Sequence, residues 1–185
     1  MNSFETENNT FDAGVLPGGL RNDIQIKILL CFLIENVDGI LTLTGLIETL
    51  SDSGIANYFA VAQALSDLRE DGNITVNENQ EASITVKGRT ALSELNSIIP
   101  VTIKEAALAK ANTTAEKYKN EKSTRVTTEP YGQGYMVKCK INAGQTTLME
   151  LNIFAADSEQ ALQIKERFIE NPTKIYKNIL DSVDD

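Results

Sequence analysis

A chain of 185 residues is long enough for one or two small globular units, and its formal net charge of -9 comes from 17 Lys+Arg set against 26 Asp+Glu. It contains no histidine, which removes Ser-His-Asp and Cys-His nucleophilic sites, histidine metal sites and histidine proton shuttles. Its two cysteines, Cys31 in an apolar run and Cys139 on an alternating one, lack any Cys-x-x-Cys spacing and read as packing residues of a reducing cytoplasm, so neither a metal nor a cofactor is expected.

Residues 1–10 are polar and acidic, without the charged and apolar regions of a signal peptide, and belong to an arm over residues 1–21. Gly14, Gly18 and Gly19 around Pro17 lead into a helix start, as phosphate-cradling loops do. No strand precedes them and the Lys and Ser/Thr of a P-loop are missing, so the arm reads as turn-rich rather than nucleotide-binding.

Asn22-Asp23-Ile24-Gln25 is an N-cap with Gln at N3, opening an apolar helix that ends near Val37, before Asp38-Gly39. Its centre, Ile28-Leu29-Leu30-Cys31-Phe32-Leu33-Ile34, is seven apolar residues long, far short of the ~20 needed to span a membrane. Seven in a row cover nearly the whole helix circumference, so either the C-terminal region or a second subunit must cover the far side. Ile40-Leu41 suits a single short edge strand, and Thr42 or Thr44 then caps a brief helix through Leu46, Ile47 and Leu50. Ser53-Gly54 makes a turn. A third helix over 57–70 carries Tyr58, Val61, Ala62, Leu65 and Leu68 on one face, with Asn57, Ala60, Gln63, Ala64 and Asp67 facing outward, and Asp71-Gly72 stops it. Ile74-Thr75-Val76-Asn77, a four-residue polar turn over 78–81 and Ala82-Ser83-Ile84-Thr85 form a hairpin. A helix with Ala91, Leu92, Leu95 and Ile98 on its core face closes the series. The order helix, short strand, helix, helix, strand, turn, strand, helix is that of the winged helix-turn-helix.

Two groups of residues point the same way. Ala64-Leu65-Ser66-Asp67-Leu68-Arg69-Glu70-Asp71-Gly72-Asn73-Ile74, followed by Ile84-Thr85-Val86-Lys87-Gly88-Arg89, resembles the third helix, wing and closing helix of many bacterial winged-helix regulators. Phe11-Asp12-Ala13-Gly14-Val15-Leu16-Pro17-Gly18-Gly19-Leu20, together with Gly54-Ile55-Ala56-Asn57-Tyr58, resembles a bacterial family of unknown function with a winged-helix N-terminal half and a C-terminal region of similar length. That resemblance covers most of the chain and implies a transcription regulator, although the family supplies no established activity. The winged-helix scaffold also serves as a protein-interaction module.

Charge bears on that choice. The first hundred residues hold five bases, Arg21, Lys27, Arg69, Lys87 and Arg89, against fourteen acids, whereas the remainder carries twelve of each. The excess negative charge therefore lies on the half that would touch DNA, where cations displacing counterions supply most of the affinity. Asn57 and Gln63 near the start of the third helix are the candidates for base readout, the alternative being polar residues on a solvated face. Arg21, Lys87 and Arg89 are the candidates for phosphate contact, the alternative being solvated surface cations. Glu78 and Glu81 at the wing tip repel phosphate.

After Pro100, an alanine-rich helix over 102–119 has a narrow seam of Leu108, Ala111, Ala115 and Tyr118, and its lysines spread around the axis as a solvated face. Strands over 124–128, 135–141 and 146–154 follow, the second alternating Tyr135, Val137, Cys139 and Ile141 with Lys138 and Lys140. Tyr131-Gly132-Gln133-Gly134-Tyr135 reads either as an ordinary connection or as the lining of a ligand cleft. Asn142-Ala143-Gly144-Gln145 makes the next turn, Asp157 caps a helix, and Asn171-Pro172 ends that helix and starts the last one.

The expected fold is α+β: an arm (1–21), a winged helix-turn-helix (22–99), and a dimerisation or sensing unit (100–185) of helix, three-stranded antiparallel meander and two helices. The expected function is that of a cytoplasmic, homodimeric transcription regulator on double-stranded DNA, with no membrane partner and with a small-molecule or protein effector at the C-terminal unit left unassigned. The alternative is a winged-helix protein-interaction module. An enzyme is not expected, because no nucleophile, base or metal constellation can be assembled.

Overall fold

The computed structural model of the chain describes residues 14–183. Residues 1–13, with most of the polar N-terminal arm and the Phe11-Asp12-Ala13 part of the family-like motif, lie outside the described residues. The described chain is α+β. It runs α1 (Asp23–Asn36), α2 (Leu43–Asp52), α3 (Tyr58–Glu70), β1 (Ile74–Val76), β2 (Ala82–Ile84), α4 (Val86–Leu95), a single 3₁₀ turn (Asn96–Ile98), α5 (Val101–Ser123), β3 (Thr124–Tyr131), β4 (Gly134–Ala143), β5 (Thr146–Ala155), α6 (Ser158–Glu170) and α7 (Pro172–Val183). Packing divides it into two units, the first ending at Ala115 and the second beginning at Glu116, so the division falls inside α5 rather than at Pro100.

Local capping chemistry sets most helix starts in the first unit. Asn22 Oδ1 accepts from Ile24 N at 2.9 Å and Gln25 N at 3.2 Å, and Thr42 Oγ1 accepts from Gly45 N at 3.0 Å. Thr85 Oγ1 accepts from Gly88 N at 3.2 Å and donates back toward the carbonyls of Gly72 and Asn73, so one hydroxyl caps α4 and fixes the turn after α3. Each such cap satisfies a backbone group that would otherwise lack a partner, at about 1 kcal/mol.

β1 and β2 pair antiparallel with Ile74 opposite Ile84. The edge strand expected at Ile40-Leu41 is reduced to one bridge, Thr42 to Glu81, supported by Ala82 N to Leu41 O at 2.9 Å and Leu43 N to Gln80 O at 3.0 Å. Asn77 organises the hairpin loop: its Oδ1 accepts from the backbone N–H groups of Asn79 and Glu81, both at 3.0 Å.

The apolar run of α1 is covered within its own unit. Ile26, Ile28, Leu29, Leu30, Cys31 and Leu33 are buried, and they share one core with Leu46, Leu50, Val61, Leu65 and Ile74. The first half of α5 adds Ala107, Ala111 and Ala115 to that core. Alanines suit this role because their small side chains let a helix backbone approach closely, and Thr114 Oγ1 lies 3.2 Å from the buried Thr49 Oγ1. No second subunit is needed to cover α1.

In the second unit β3, β4 and β5 form an antiparallel sheet in sequence order. Val137, Cys139 and Ile141 of β4 point into a core completed by Ala155, Ala161 and Phe168, with Ile164, Ile175 and Tyr176 packed against it. Residues 131–135 are a tight hairpin connection: Tyr131 pairs with Gly134, leaving Gly132 and Gln133 as the loop, with Gly132 at φ 59°. Asp157 Oδ1 accepts from Gln160 N at 2.8 Å while the Gln160 side chain accepts from Ala156 N at 2.7 Å, a reciprocal cap at the start of α6.

Candidate nucleic-acid interface

The surface of interest is built from the arm, the turn before α3, α3 itself and the β1–β2 hairpin. Leu16 N donates to Gly54 O at 2.9 Å and Leu20 N to Ile55 O at 2.7 Å, so the arm runs alongside the turn between α2 and α3. Gly19 is required there, because a Cβ would come within 2.8 Å of Ile55 O and 2.9 Å of Gly54 O. Gly54 is at φ 64° with the Leu16 side chain packed against it. The described part of the first half of the family-like motif, from Gly14 to Leu20, thus meets the second half at Gly54 and Ile55.

The buried stripe of α3 is Val61, Ala64, Leu65 and Leu68. It is rotated toward Ala64 relative to the face expected from periodicity: Ala64 goes inward, while Tyr58 is 53 % exposed and Phe59 70 % exposed. The two rings meet edge to face with centroids 5.4 Å apart. These were missed as surface residues. Two adjacent large aromatic residues directly after an N-cap were the available signal, since Tyr58 and Phe59 stand about 100° apart while the apolar stripe of α3 continues only through Val61, Ala64, Leu65 and Leu68.

The five candidate residues are dispersed in role. Asn57 is buried and is the N-cap of α3, its Oδ1 accepting from Phe59 N at 2.9 Å and Ala60 N at 3.4 Å. Gln63 is exposed and donates through Nε2 to Asp67 Oδ1 at 2.8 Å. Asp67 also receives Lys27 Nζ at 2.6 Å, and Lys27 reaches Asp23 at 2.7 Å, so a polar chain Asp23, Lys27, Asp67, Gln63 ties α1 to α3. Hydrogen bonding from Lys27, then from Gln63, holds the Asp67 carboxyl below the usual carboxylate range. Hydrogen bonding to Asp23 and Asp67 raises Lys27 above the ordinary lysine value. Lys87 is exposed and donates to Asp71 O at 2.5 Å. Arg89 Nε lies 3.0 Å from both carboxylate oxygens of Glu35, across a cleft lined by Ile40, Asn77, Glu81 and Ser83. Arg21 is exposed on the arm, next to Asn22, the N-cap of α1.

The fold therefore brings Tyr58, Phe59 and Gln63 together on the open side of α3, and holds Lys87 and Arg89 on α4 beyond the hairpin. Acids stand beside them: Asp67 accepts from Gln63, Glu35 holds Arg89, and Glu81, which accepts from Asn77 Nδ2 at 2.6 Å, lines the same cleft as Arg89. Among the described residues no group of three or more His, Cys, Asp or Glu side chains is placed to hold a metal ion. No described helix is long and apolar enough to cross a membrane.

No curated protein and no solved structure matches the chain. A family model does match, over residues 26–183, a span that includes α3, the hairpin and the described part of the second unit while leaving out the arm. With most of its length covered by that match, the chain belongs to the family described as a domain of unknown function, DUF4364.

Proposed function

We propose that this protein is a bacterial transcription regulator of the winged-helix type, cytoplasmic and homodimeric, that places α3 in the major groove of a specific DNA site. The observation that carries the reading is the order and pairing of the first unit: three helices, a hairpin pinned to the segment before α2 by the Thr42 to Glu81 bridge, and a third helix whose first turns are open to solvent. Phe59 and Tyr58 suit apolar contact with thymine methyl groups, and Gln63 suits the adenine edge once it releases Asp67. Arg21, Lys87 and Arg89 supply phosphate contacts; the latter two would exchange their present acceptors, Asp71 O and Glu35, for phosphate. Asn57 supports the site by holding the start of α3 rather than by touching bases. Selection of binding sequences from a random duplex pool with the full chain tests the proposal: enrichment of one site supports it, and an unenriched pool overturns it.

One observation favours a second reading, a winged-helix module that binds a protein. Lys27, Lys87 and Arg89 already have acceptors within the unit, and an exposed aromatic pair at the end of a helix is the composition of a protein hot spot. On that reading Phe59→Ala abolishes capture of a partner while the DNA pool stays unenriched.

A further inference from the structure

Among the described residues the β3–β4–β5 sheet has two edges that no further strand covers, and they differ. β3 carries Pro130, together with Arg125 and Glu129, which are devices that blunt an edge against pairing. β5, ten residues from Thr146 to Ala155, has no proline and a single charge, Glu150, and its one irregularity is a bulge at Leu148, near its start. Among the described residues its backbone pairs with β4 alone. Two of its outward side chains are large and apolar: Leu148 is 44 % exposed and Phe154 53 % exposed. A long unpaired edge of this kind is a template for another strand.

We propose that β5 is the dimer interface, pairing antiparallel with β5 of a second copy about a two-fold axis at Leu151 to make a continuous six-stranded sheet. The proposal rests on the homodimer reading given above and names its surface.

The register follows from the residues. A two-fold axis perpendicular to the sheet keeps the helix-covered faces on the same side, so open-face residues must meet open-face residues. Two such registers pair the most of β5. One sets Glu150 against its own copy and leaves both exposed apolar side chains facing polar ones, Leu148 against Asn152 and Phe154 against Thr146 of the second copy. The other sets Leu151 against its own copy. It then places Glu150 opposite Asn152 of the second copy and brings Leu148, at the bulge, beside Phe154 of the second copy, twice. The two exposed apolar side chains are thereby matched with each other. Glu150, whose charge Lys140 balances at 3.0 Å, gains an amide donor. On the core side Met149 meets Ile153 of the second copy, extending the apolar layer beneath the sheet. Shifting the axis to Asn152 sets Glu150 against Phe154 and shortens the overlap. The strand is self-complementary in one register.

Sedimentation of the full chain at tens of micromolar should give twice the 20.3 kDa chain mass. The double variant Leu148→Lys with Phe154→Lys, changed only at exposed positions, should sediment as a monomer with an unaltered circular dichroism spectrum. The register is read independently of those substitutions: Glu150→Cys with Asn152→Cys should form a covalent dimer under mild oxidation, and Glu150→Cys alone should not. A monomeric wild-type chain overturns both this interface and the homodimer reading. A dimer that survives the lysine substitutions overturns the interface while leaving the homodimer reading intact, and one that cross-links equally well through Glu150→Cys alone overturns the register about Leu151.

Discussion

Asn57 sits where a base-reading side chain and a helix cap compete for the same group. Its residue surface is 6 % exposed and its Oδ1 is engaged with two backbone N–H groups at the start of α3, so the cap role wins on geometry. Asn57→Ala should lower the unfolding free energy in urea by about 1–2 kcal/mol, and Asn57→Asp, which keeps the acceptor, by clearly less. Loss of sequence preference on DNA with unchanged stability would reverse that assignment. The cysteines show burial acting on chemistry. Desolvation pushes both the Cys31 and the Cys139 thiol up to about 11 from an ordinary 9.0. A raised folded value favours the folded state fully below the ordinary value and loses that contribution as pH rises through the folded one. Stability should therefore fall between pH 9 and pH 11, the fall should be shallower in Cys31→Ala, and a thiol reagent at pH 8 should label neither cysteine until the chain is unfolded.

At the scale of elements, what could be read from the sequence is what is decided locally. The starts of α1 and α6 were legible because Asn22 and Asp157 cap through atoms two or three residues away, and that of α2 was legible to within the choice of Thr42 or Thr44. The start of α4 was not: Thr85 reads as the end of the hairpin strand, and its capping role depends on the turn after α3 that it also bonds. The alternation of Val137, Cys139 and Ile141 likewise showed one buried face of β4. The rotation of α3 and the allegiance of α5 were not legible, because they depend on which distant surface each helix meets. Periodicity alone fits Tyr58 as a core residue, and only packing against α1 and α2 turns it outward. The seam Ala111 and Ala115 was visible as a close-packing stripe, but nothing local says that it faces the chain's own core rather than a second copy. The same rotation decides which substitutions matter on α3. If Gln63 reads a base, Gln63→Ala should relax preference at one position of a selected site, whereas Lys87→Ala should weaken all sequences alike by losing one phosphate contact. Parallel selections with the two variants separate these outcomes, and an unchanged preference in Gln63→Ala would remove that residue from the interface.

At the scale of the whole molecule, charge sets how any DNA binding must behave. The N-terminal hundred residues carry five bases against fourteen acids, and Lys27 among those bases is committed to Asp23 and Asp67. Arg69 lies in the last turn of α3, at the far end from its open first turns, which leaves Arg21, Lys87 and Arg89 as candidates for phosphate; a dimer would neutralise about six phosphates, and the slope of log affinity against log salt would be about -5 at most. Lys87 must first give up Asp71 O and Arg89 must give up Glu35, which lowers the gain for each. Neighbouring Glu70, Glu78 and Glu81 repel the backbone further. Affinity for random duplex should therefore be undetectable near physiological salt and should emerge only at low ionic strength, while a selected site binds through the groove contacts of α3. Fluorescence anisotropy against a salt series checks both parts. Tight binding to random duplex at physiological salt, or a slope much steeper than -5, would mean that cations outside this surface, such as Arg125, Lys138 and Lys140 on the open face of the second unit's sheet, carry the contact instead.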